Sequence, residues 1–208
     1  MLRLMKNHIS LVCNDAIKSG FLVSNPISLV SLKATKETKE KDALSSDMIR
    51  LIANSNAKTA NTLMILIYTG MRINELIKIK PEDIHPELEY MVSGEKTEAG
   101  RERIIPIHPY IMPLIKQWKE KPDFRSDSTF DHYLQLDLEN VYHADFSSHY
   151  CRHTFASMCD DAEITIYTTK KIIGHAIPKS DVTGSVYTHK NPEKLIEEIK
   201  KLPCPNDL

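Results

Sequence analysis

The sequence lacks the features that mark membrane-spanning and secreted proteins. Its longest apolar runs, such as residues 63–68, are far shorter than the ~20 residues that a membrane-spanning helix needs. The N-terminus carries charged residues and no continuous apolar segment, so it shows no signal peptide. The four cysteines show no CxxC spacing, which favours reduced thiols over a disulfide framework. We therefore expect a soluble, intracellular protein without a membrane segment.

Phosphate-binding loops and common catalytic motifs are also missing. Without a GxxxxGK(S/T) or a GxGxxG loop, the sequence gives no support for nucleotide binding. It has no GxSxG turn, which would present a nucleophilic serine. His149 and His153 stand four residues apart, as in a zinc-protease helix. That motif needs Glu directly after the first His, and Tyr150 is there instead. We therefore expect neither a metal nor another cofactor.

The sequence has no excess of basic charge. Its 27 Lys and Arg against 28 Asp and Glu give a net charge of −1. Dedicated nucleic-acid binders are usually basic, so the total counts mildly against such a role. It does not exclude one, because local patches matter more than totals. With 41% hydrophobic residues in 208, the chain can bury one good core and a small additional piece.

A polar stretch divides the chain in two. Residues 33–41 are almost all polar and predict a linker, the clearest domain boundary in the sequence. Before it, residues 3–19 predict a short helix that ends at Gly20, and so short a helix needs a partner to bury its apolar side. We therefore assign residues 1–41 to the remnant of an upstream helical domain with its linker, and residues 42–208 to the main domain.

Hydrophobic periodicity and turn residues predict an α+β main domain, mainly α-helical with a small antiparallel sheet. Two strands, residues 88–93 and 101–107, form a β-hairpin with Lys96 at or near its polar tip, where lysine often serves solubility. Residues 121–130 are predicted to be irregular. The predicted helices span residues 46–52, 58–68, 73–79, 109–118, 133–142, 164–173 and 193–201.

A further predicted helix begins near residue 148, where two serines are candidate N-caps. At about 100° per residue, three apolar residues fall on one stripe that should face a core. The stripe consists of Cys151, Phe155 and Met158. His149 and Arg152, three residues apart, fall on roughly the opposite side. The helix would thus present an imidazole and a guanidinium on one face while its other face is anchored.

Two further polar residues stand next to glycine turns. Arg72 follows Gly70 closely and opens a predicted helix. It either forms an ordinary helical ion pair with Glu75 or holds an anion rigidly. His175 comes directly after the glycine that ends another predicted helix.

Together these residues suit one type of chemistry. Two guanidiniums can hold a phosphate through paired N–H donors and neutralise charge on phosphoryl oxygens without a metal. A lysine such as Lys96 can give a proton to a leaving alkoxide, and histidine acts as acid or base near neutral pH. A tyrosine hydroxyl, such as that of Tyr187, can be a covalent nucleophile. The set describes metal-free phosphoryl transfer through a phosphotyrosine.

The same residues, in the same order, resemble the catalytic domain of the tyrosine recombinases, the phage integrase family. The matching segments are residues 68–76, Lys96 on its hairpin, and residues 149–156, 173–175 and 187–189. The resemblance covers most of the chain and implies the α+β fold of that catalytic domain.

The resemblance implies a phosphate-binding role for one group of residues. Arg72 and Arg152 would grip the non-bridging oxygens of the scissile phosphate, and His175 would add a hydrogen bond to it. Glu75 would be a supporting residue that orients Arg72.

The resemblance also implies the nucleophile and the proton-transfer groups. Tyr187 would attack the phosphate, leaving a 3′-phosphotyrosyl link and a free 5′-hydroxyl. Lys96 would be the general acid for the 5′ oxygen, and His149 would assist proton transfer at the tyrosine. Tyr187 follows His175 by twelve positions, a few more than in many family members.

The implied activity is that of a site-specific DNA recombinase, or integrase, which cleaves and rejoins double-stranded DNA without metal or ATP. The enzyme would be cytoplasmic, bacterial or phage-encoded, and would act as a tetramer on its recombination site. Residues 193–201 would either contact a neighbouring subunit or pack on their own domain, and residues 1–41 would be the remnant of a core-binding domain. Two alternatives stay open: a type IB topoisomerase, and a catalytically silent DNA-binding regulator.

Overall fold

The computed structural model describes residues 2–31, 43–93, 102–175 and 191–208. The chain divides into two compact units, Met1–Glu40 and Lys41–Leu208. The predicted linker at residues 33–41 lies outside the described residues, as do Lys96 and Tyr187. The assignment of residues 1–41 to an upstream core-binding domain stays a prediction.

The first unit consists of helix α1 (Leu2–Lys18) and a 3₁₀ turn (Pro26–Leu29). The helix matches the predicted residues 3–19, and Gly20 follows it with a φ of +76°. None of residues 4–31 is buried, so this stretch has no core of its own.

The second unit is built around helix α3 (Ala60–Thr69). Nine of its residues are buried, as a helix that is apolar on all sides requires. It packs against α7 (Ser148–Asp161), whose Cys151, Phe155 and Met158 are 0%, 0% and 5% exposed. The predicted apolar stripe of α7 therefore faces the core.

Six further helices complete the helical part of the described second unit. They are α2 (Ser46–Asn54), α4 (Ile73–Lys78), α5 (Met112–Glu120), α6 (Asp127–Asp137), α8 (Ile166–Ile173) and α9 (Pro192–Ile199). Polar side chains begin several of them: Ser45 accepts from the Met48 N–H at the start of α2, and Asn191 accepts from the Glu193 N–H at the start of α9.

A three-stranded antiparallel sheet completes the unit, with the order β1 (Ile84–His85), β2 (Tyr90–Ser93) and β3 (Arg103–Pro106). Met91 of β2 stands opposite Ile105 of β3. The two predicted strands are confirmed, although both are shorter than predicted. Strand β1 was not predicted, because two residues are too few to show a period. The mainly helical α+β fold with a small antiparallel sheet is confirmed.

The prediction of an irregular segment at residues 121–130 was wrong at its end. Helix α6 begins at Asp127, because the Ser126 hydroxyl accepts a hydrogen bond from the Thr129 N–H and caps the first turn. The predicted helix 133–142 is therefore the second half of α6 followed by a π-helical segment, Leu138–Tyr142.

Helix α9 packs its apolar side against the core of its own chain. Leu195, Ile196 and Ile199 are 5%, 8% and 0% exposed, and α9 contacts β3. Of the two arrangements expected for residues 193–201, the structure thus shows packing on their own domain. The following residues continue over the same unit: the Tyr68 hydroxyl donates to the Pro203 carbonyl oxygen at 2.7 Å.

Candidate active site

Arg72 is placed by the turn between α3 and α4. Gly70 ends α3 with a φ of +62°, and Arg72 then caps α4. The Arg72 backbone N–H donates to Glu75 Oε2 at 3.0 Å, and the Glu75 N–H donates to the Arg72 carbonyl at 2.9 Å. The Arg72 guanidinium also reaches Glu75 Oε1 at 3.1 Å, while 41% of its side chain stays exposed. The ion pair predicted for these two residues is present, and it leaves Arg72 open to solvent on one side.

Arg152 is held quite differently, by two carbonyl groups. Its Nη1 donates to the Gly70 carbonyl oxygen at 2.7 Å, and its Nη2 donates to the carbonyl oxygen of Ile173. The residue is only 8% exposed, because the ends of α3 and α8 close over it. Arg152 is thus buried although it lies away from the apolar stripe of α7, whereas His149 is exposed.

Burial changes the electrostatics of Arg152. Desolvation, followed by the charge of Arg72, lowers the pKa of Arg152 to about 10, against the opposing attraction of Glu75. The guanidinium stays protonated at neutral pH. A cation that is desolvated in this way interacts more strongly with an anion than one in water does.

His175 follows α8 at the position that the sequence predicted. Gly174 adopts a φ of +72°, and the His175 N–H folds back onto the Lys170 carbonyl at 2.9 Å. Burial, together with the charges of Arg152 and Arg72, lowers the pKa of His175. The imidazole is therefore neutral at pH 7, and its ring lies within the field of both arginines.

Arg103 completes this cluster, and the sequence reasoning missed it. It lies on β3 and is 5% exposed. Its Nη2 contacts Glu75 Oε2 at 2.9 Å, and its Nε donates to the Ile172 carbonyl oxygen at 2.8 Å. Strand alternation was the available signal, because it places Arg103 on the same side as the fully buried Ile105.

Glu75 is the carboxylate that joins two of the three arginines. Burial alone would raise its pKa, but the charge of Arg103 and the hydrogen bond from Arg72 lower it overall. Because Glu75 is ionised, the three guanidiniums and one carboxylate leave a net charge of +2. Beside Arg72 a cleft of about 410 Å³ opens between α4 and the sheet. Such a local excess of positive charge attracts anions in spite of the neutral total.

The remaining predicted residues contribute less to this picture. His149 is exposed on the first turn of α7, and its charge partly offsets the burial and the Asp127 charge that raise the pKa of Asp131. Lys96 and Tyr187 lie outside the described residues. The structure therefore brings together Arg72, Glu75, Arg152 and His175 from the predicted set, and adds Arg103.

Membrane spans and metal-binding groups are both missing from the described residues. None of their helices combines the length and the apolar character that would carry it across a membrane. Within residues 2–31, 43–93, 102–175 and 191–208, no three His, Cys, Asp or Glu side chains are grouped so as to hold a metal ion.

Comparisons with known proteins point to one family and one fold. Tyrosine recombinase XerA of Saccharolobus solfataricus is 31% identical over 170 residues, which are 78% of this chain and 57% of that protein. The integrase of mycobacterium phage Brujita superimposes with a TM-score of 0.65 at 15% identity, over 96% of this chain and 70% of its own. A lambda integrase tetramer bound to a Holliday junction gives a TM-score of 0.65 at 18% identity, over 85% and 58% of the two chains.

The structural similarities, at such low identity, show the fold. The chain spans less than two thirds of the length of the XerA recombinase that it matches. The sequence profile described as the phage integrase family matches residues 41–194, about three quarters of the chain. The chain therefore belongs to the phage integrase family, as the ordered motifs around Arg72, Arg152 and His175 predicted.

Proposed function

We propose that this chain carries the catalytic part of a site-specific recombinase that cleaves and rejoins double-stranded DNA. The observation that supports the proposal best is the convergence of Arg72, Arg152 and His175 in a cluster of net charge +2. Two guanidiniums on non-bridging oxygens neutralise a phosphodiester and the additional charge that develops in the transition state. The neutral His175 imidazole donates a third hydrogen bond to the same phosphate.

The cleavage step is a transfer of the phosphoryl group to a tyrosine. The Tyr187 oxygen attacks the phosphorus, and the bond from phosphorus to the 5′ oxygen breaks. The tyrosine proton passes towards His149, and Lys96 gives a proton to the leaving 5′ oxygen. The product is a 3′-phosphotyrosyl link and a free 5′-hydroxyl.

Rejoining is the reverse of cleavage. A 5′-hydroxyl from another strand attacks the phosphotyrosine, and the bond from phosphorus to the tyrosine oxygen breaks. One phosphodiester replaces another at nearly equal energy, so the reaction needs neither ATP nor a redox step. The resident groups supply the charge stabilisation, and we assign no metal ion to the reaction.

Strand exchange requires several subunits on DNA, and we propose that this chain acts as a tetramer on its recombination site in the cytoplasm. The support is the lambda integrase tetramer on a Holliday junction, whose fold this chain shares. In this structure the apolar side of α9 is buried in its own core. A subunit contact through residues 193–201 would therefore use the exposed Glu193, Lys194 and Glu197, or would require release of that side.

Covalent capture tests the proposal without requiring a defined DNA site. The purified chain is incubated in EDTA with a pool of nicked duplexes of randomised sequence, and denatured protein–DNA adducts are isolated and sequenced. We expect adducts with one recurrent sequence, and we expect Tyr187→Phe to abolish them. Tyr167→Phe is the matched control, because Tyr167 is another tyrosine of the same region and should leave the adducts unchanged.

The other outcomes identify the two alternatives. Relaxation of supercoiled plasmid without any strand-exchanged product would favour a topoisomerase. DNA binding without adducts on any duplex would favour a silent regulator. Adducts that persist in Tyr187→Phe would contradict the assigned nucleophile.

A further inference from the structure

At the C-terminal end of α8, each of the last four carbonyl groups accepts a hydrogen bond. The last four carbonyls of a helix have no partner within it. Here the Lys170 carbonyl accepts from His175 N–H at 2.9 Å, and that of Lys171 accepts from Gly174 N–H at 3.3 Å. The next two carbonyls, at Ile172 and Ile173, accept from two arginine side chains.

These two arginines come from different elements. Arg103 of β3 donates its Nε to the Ile172 carbonyl, and Arg152 of α7 donates its Nη2 to the Ile173 carbonyl. Both therefore stand at the negative end of the α8 dipole, where cations are stabilised. The segment that carries His175 is thus held on successive carbonyls by two guanidiniums.

Arg103 has a second partner that Arg152 does not share. Its Nη2 contacts Glu75 Oε2, while the other oxygen of the same carboxylate holds Arg72 Nη1. One rigid, planar guanidinium therefore connects the carboxylate that orients Arg72 with the helix end that presents His175. Arg103 thus joins these two parts of the cluster through the carboxylate, while Arg152 joins the turn before Arg72 to the same helix end.

The side chain of Arg103 is covered by its neighbours. Only 4% of its side chain is exposed, against 41% for Arg72. A Cβ at Gly174 would lie 3.2 Å from Arg103 Cδ and 3.3 Å from its Nε and Nη1, so the backbone of the turn covers this side chain. Its contacts with Glu75 and with the end of α8 are those through which Arg103 can act on Arg72 and His175.

We propose that Arg103 is a positioning residue, which fixes Arg72 and His175 relative to each other for binding of the scissile phosphate. This inference rests on the proposed function. The two-sided fork of Arg103 sets the distance between the α4 cap and the end of α8. Loss of the fork leaves Arg72 and His175 in place individually but frees one to move against the other.

If Arg103 served only to stabilise the fold, its substitution would affect the free energy of unfolding more than phosphate recognition. A buried ion pair contributes little net stability compared with apolar residues of the same volume, so stability alone gives no reason for an arginine here. A misplacement of about 1 Å, in contrast, lowers the rate of a positioned reaction by roughly 10²-fold. The experiment must therefore separate folding from phosphate recognition.

Two variants and one control make this separation. Arg103→Met removes the contacts with Glu75 and Ile172 with little change in side-chain length, and Arg103→Lys keeps the charge but replaces the planar fork with a single ammonium group. Asp137→Asn is the control: Asp137 is also buried, accepts from the Thr59 N–H at 2.8 Å and from its hydroxyl at 2.6 Å, and belongs to another network. All proteins are assayed as folded fractions well below their melting temperatures.

The first readout is single-turnover cleavage of the captured duplex and of the same duplex with a neutral methylphosphonate at the scissile position. With the phosphodiester, we expect Arg103→Met to lower the rate by about 10²-fold and Arg103→Lys by about 10-fold, because positioned guanidiniums act on the phosphate charge. With the methylphosphonate there is no such charge, so both losses should fall below about 5-fold. Equal losses on the two duplexes would overturn the proposal, since a folding defect affects both alike.

The second readout does not depend on cleavage. Inorganic sulfate, a phosphate mimic of fixed charge, is titrated while the His175 imidazole is followed by NMR. We expect about 10-fold weaker binding in Arg103→Met, because the two arms of the site are no longer held together, and no change in Asp137→Asn. Unchanged sulfate affinity in Arg103→Met would contradict the positioning role. An absence of adducts from the unmodified chain would instead contradict the proposed function, and the sulfate result would still decide the role of Arg103.

Discussion

Two arginines of the cluster, Arg72 and Arg152, are supported in opposite ways. The side chain of Arg72 is 41% exposed and pairs with a carboxylate, whereas Arg152 is buried and donates to two neutral carbonyls. The charge of Arg72 is compensated before any ligand arrives. The hydrogen bonds of Arg152 are to uncharged carbonyls, and burial is the first cause of its lowered pKa.

This difference assigns the two residues different tasks. The carbonyls of Gly70 and Ile173 belong to the ends of α3 and α8. Besides its proposed role at the phosphate, Arg152 is therefore a structural link between two core helices. Arg72 belongs to a short surface helix and is linked to the core through Glu75. We therefore expect damage to Arg152 to affect folding and catalysis together, and damage to Arg72 to affect mainly catalysis.

Substitution of each arginine by lysine gives the largest expected effect. Both variants should form the covalent adduct about 10³-fold more slowly, because a point charge does not replace a bidentate guanidinium on a phosphate. Arg152→Lys should also lower the free energy of unfolding by about 2 kcal/mol, because one buried carbonyl loses its donor. Arg72→Lys should lower it by less than about 1 kcal/mol, as expected for a half-exposed pair.

Urea denaturation measures the free energy of unfolding of the two variants, and covalent capture on DNA measures their rate of adduct formation. Equal losses of stability in the two variants would contradict the distinction between a structural and a surface arginine.

Removal of the Glu75 carboxylate tests its role as the counter-charge of Arg72 and Arg103. Glu75→Gln leaves the buried Arg103 without its counter-charge and should lower the free energy of unfolding at pH 7 by about 3 kcal/mol. The folded-state pKa of Glu75 lies below its ordinary value of 4.5. The carboxylate therefore stabilises the fold above that ordinary value, and this contribution disappears as the pH falls through the folded-state pKa.

The measurement is denaturation of Glu75→Gln and of the unmodified chain between pH 7 and pH 3. The stability difference should shrink on acidification. Glu82→Gln is the control, because Glu82 is 70% exposed and its variant should differ by less than about 0.5 kcal/mol at every pH. A difference that stays constant down to pH 3 would show that Glu75 is not the ionised partner.

Two glycines with left-handed backbone test how rigidly the carbonyl acceptor of Arg152 is held. A Cβ at Gly70 would lie 2.6 Å from Phe155 Cδ1 and 2.8 Å from Ile173 Cγ2, so Gly70→Ala should destabilise the fold by about 3 kcal/mol through both strain and overpacking. Gly20 has a similar φ of +76° but no atom within 4 Å of such a Cβ. Gly20→Ala should therefore cause only about 1 kcal/mol of destabilisation, from the backbone alone.

Thermal denaturation compares the two glycine variants. Similar shifts would mean that the close packing at Gly70 relaxes without strain. In that case the Gly70 carbonyl would not be a fixed acceptor for Arg152.

The smallest expected effect is the titration of His175. Burial and the charges of Arg152 and Arg72 should keep its pKa below the usual ~6.5, and saturating sulfate should raise it because a bound anion offsets those charges. Substitution of either arginine by methionine should also raise it. NMR of the imidazole provides the measurement, with His175→Gln to assign the signal. A pKa that responds to only one of the two arginines would separate the halves of the site.

The core and most helices follow from local sequence patterns. The apolar stripe of α7 and the continuous apolar run of α3 each determine which residues are buried. The left-handed glycines after α3 and α8 mark two helix ends correctly. The start of α6 was missed, although the hydroxyl of Ser126 three residues before Thr129 was a visible cap signal.

The buried side of the site could not be predicted in this way. A helical projection places Arg152 away from the apolar stripe of its own helix. It cannot show that the end of α8 covers that side. The bond from Arg103 to Ile172 joins residues 69 positions apart, and no local pattern encodes it. Family resemblance pointed to Arg72, Arg152 and His175, but not to Arg103, which contacts Glu75 and the end of α8.

The link from Arg152 to Gly70 and Ile173 also has a consequence for biosynthesis. Gly70 leaves the ribosome about 100 residues before Ile173, which at 5–20 residues per second takes roughly 5–20 s. For most of this interval, until residue 161 has been made, α3, with nine buried residues in the native state, has no complete α7 to cover it. The nascent chain should therefore be a chaperone client until its last third has been made.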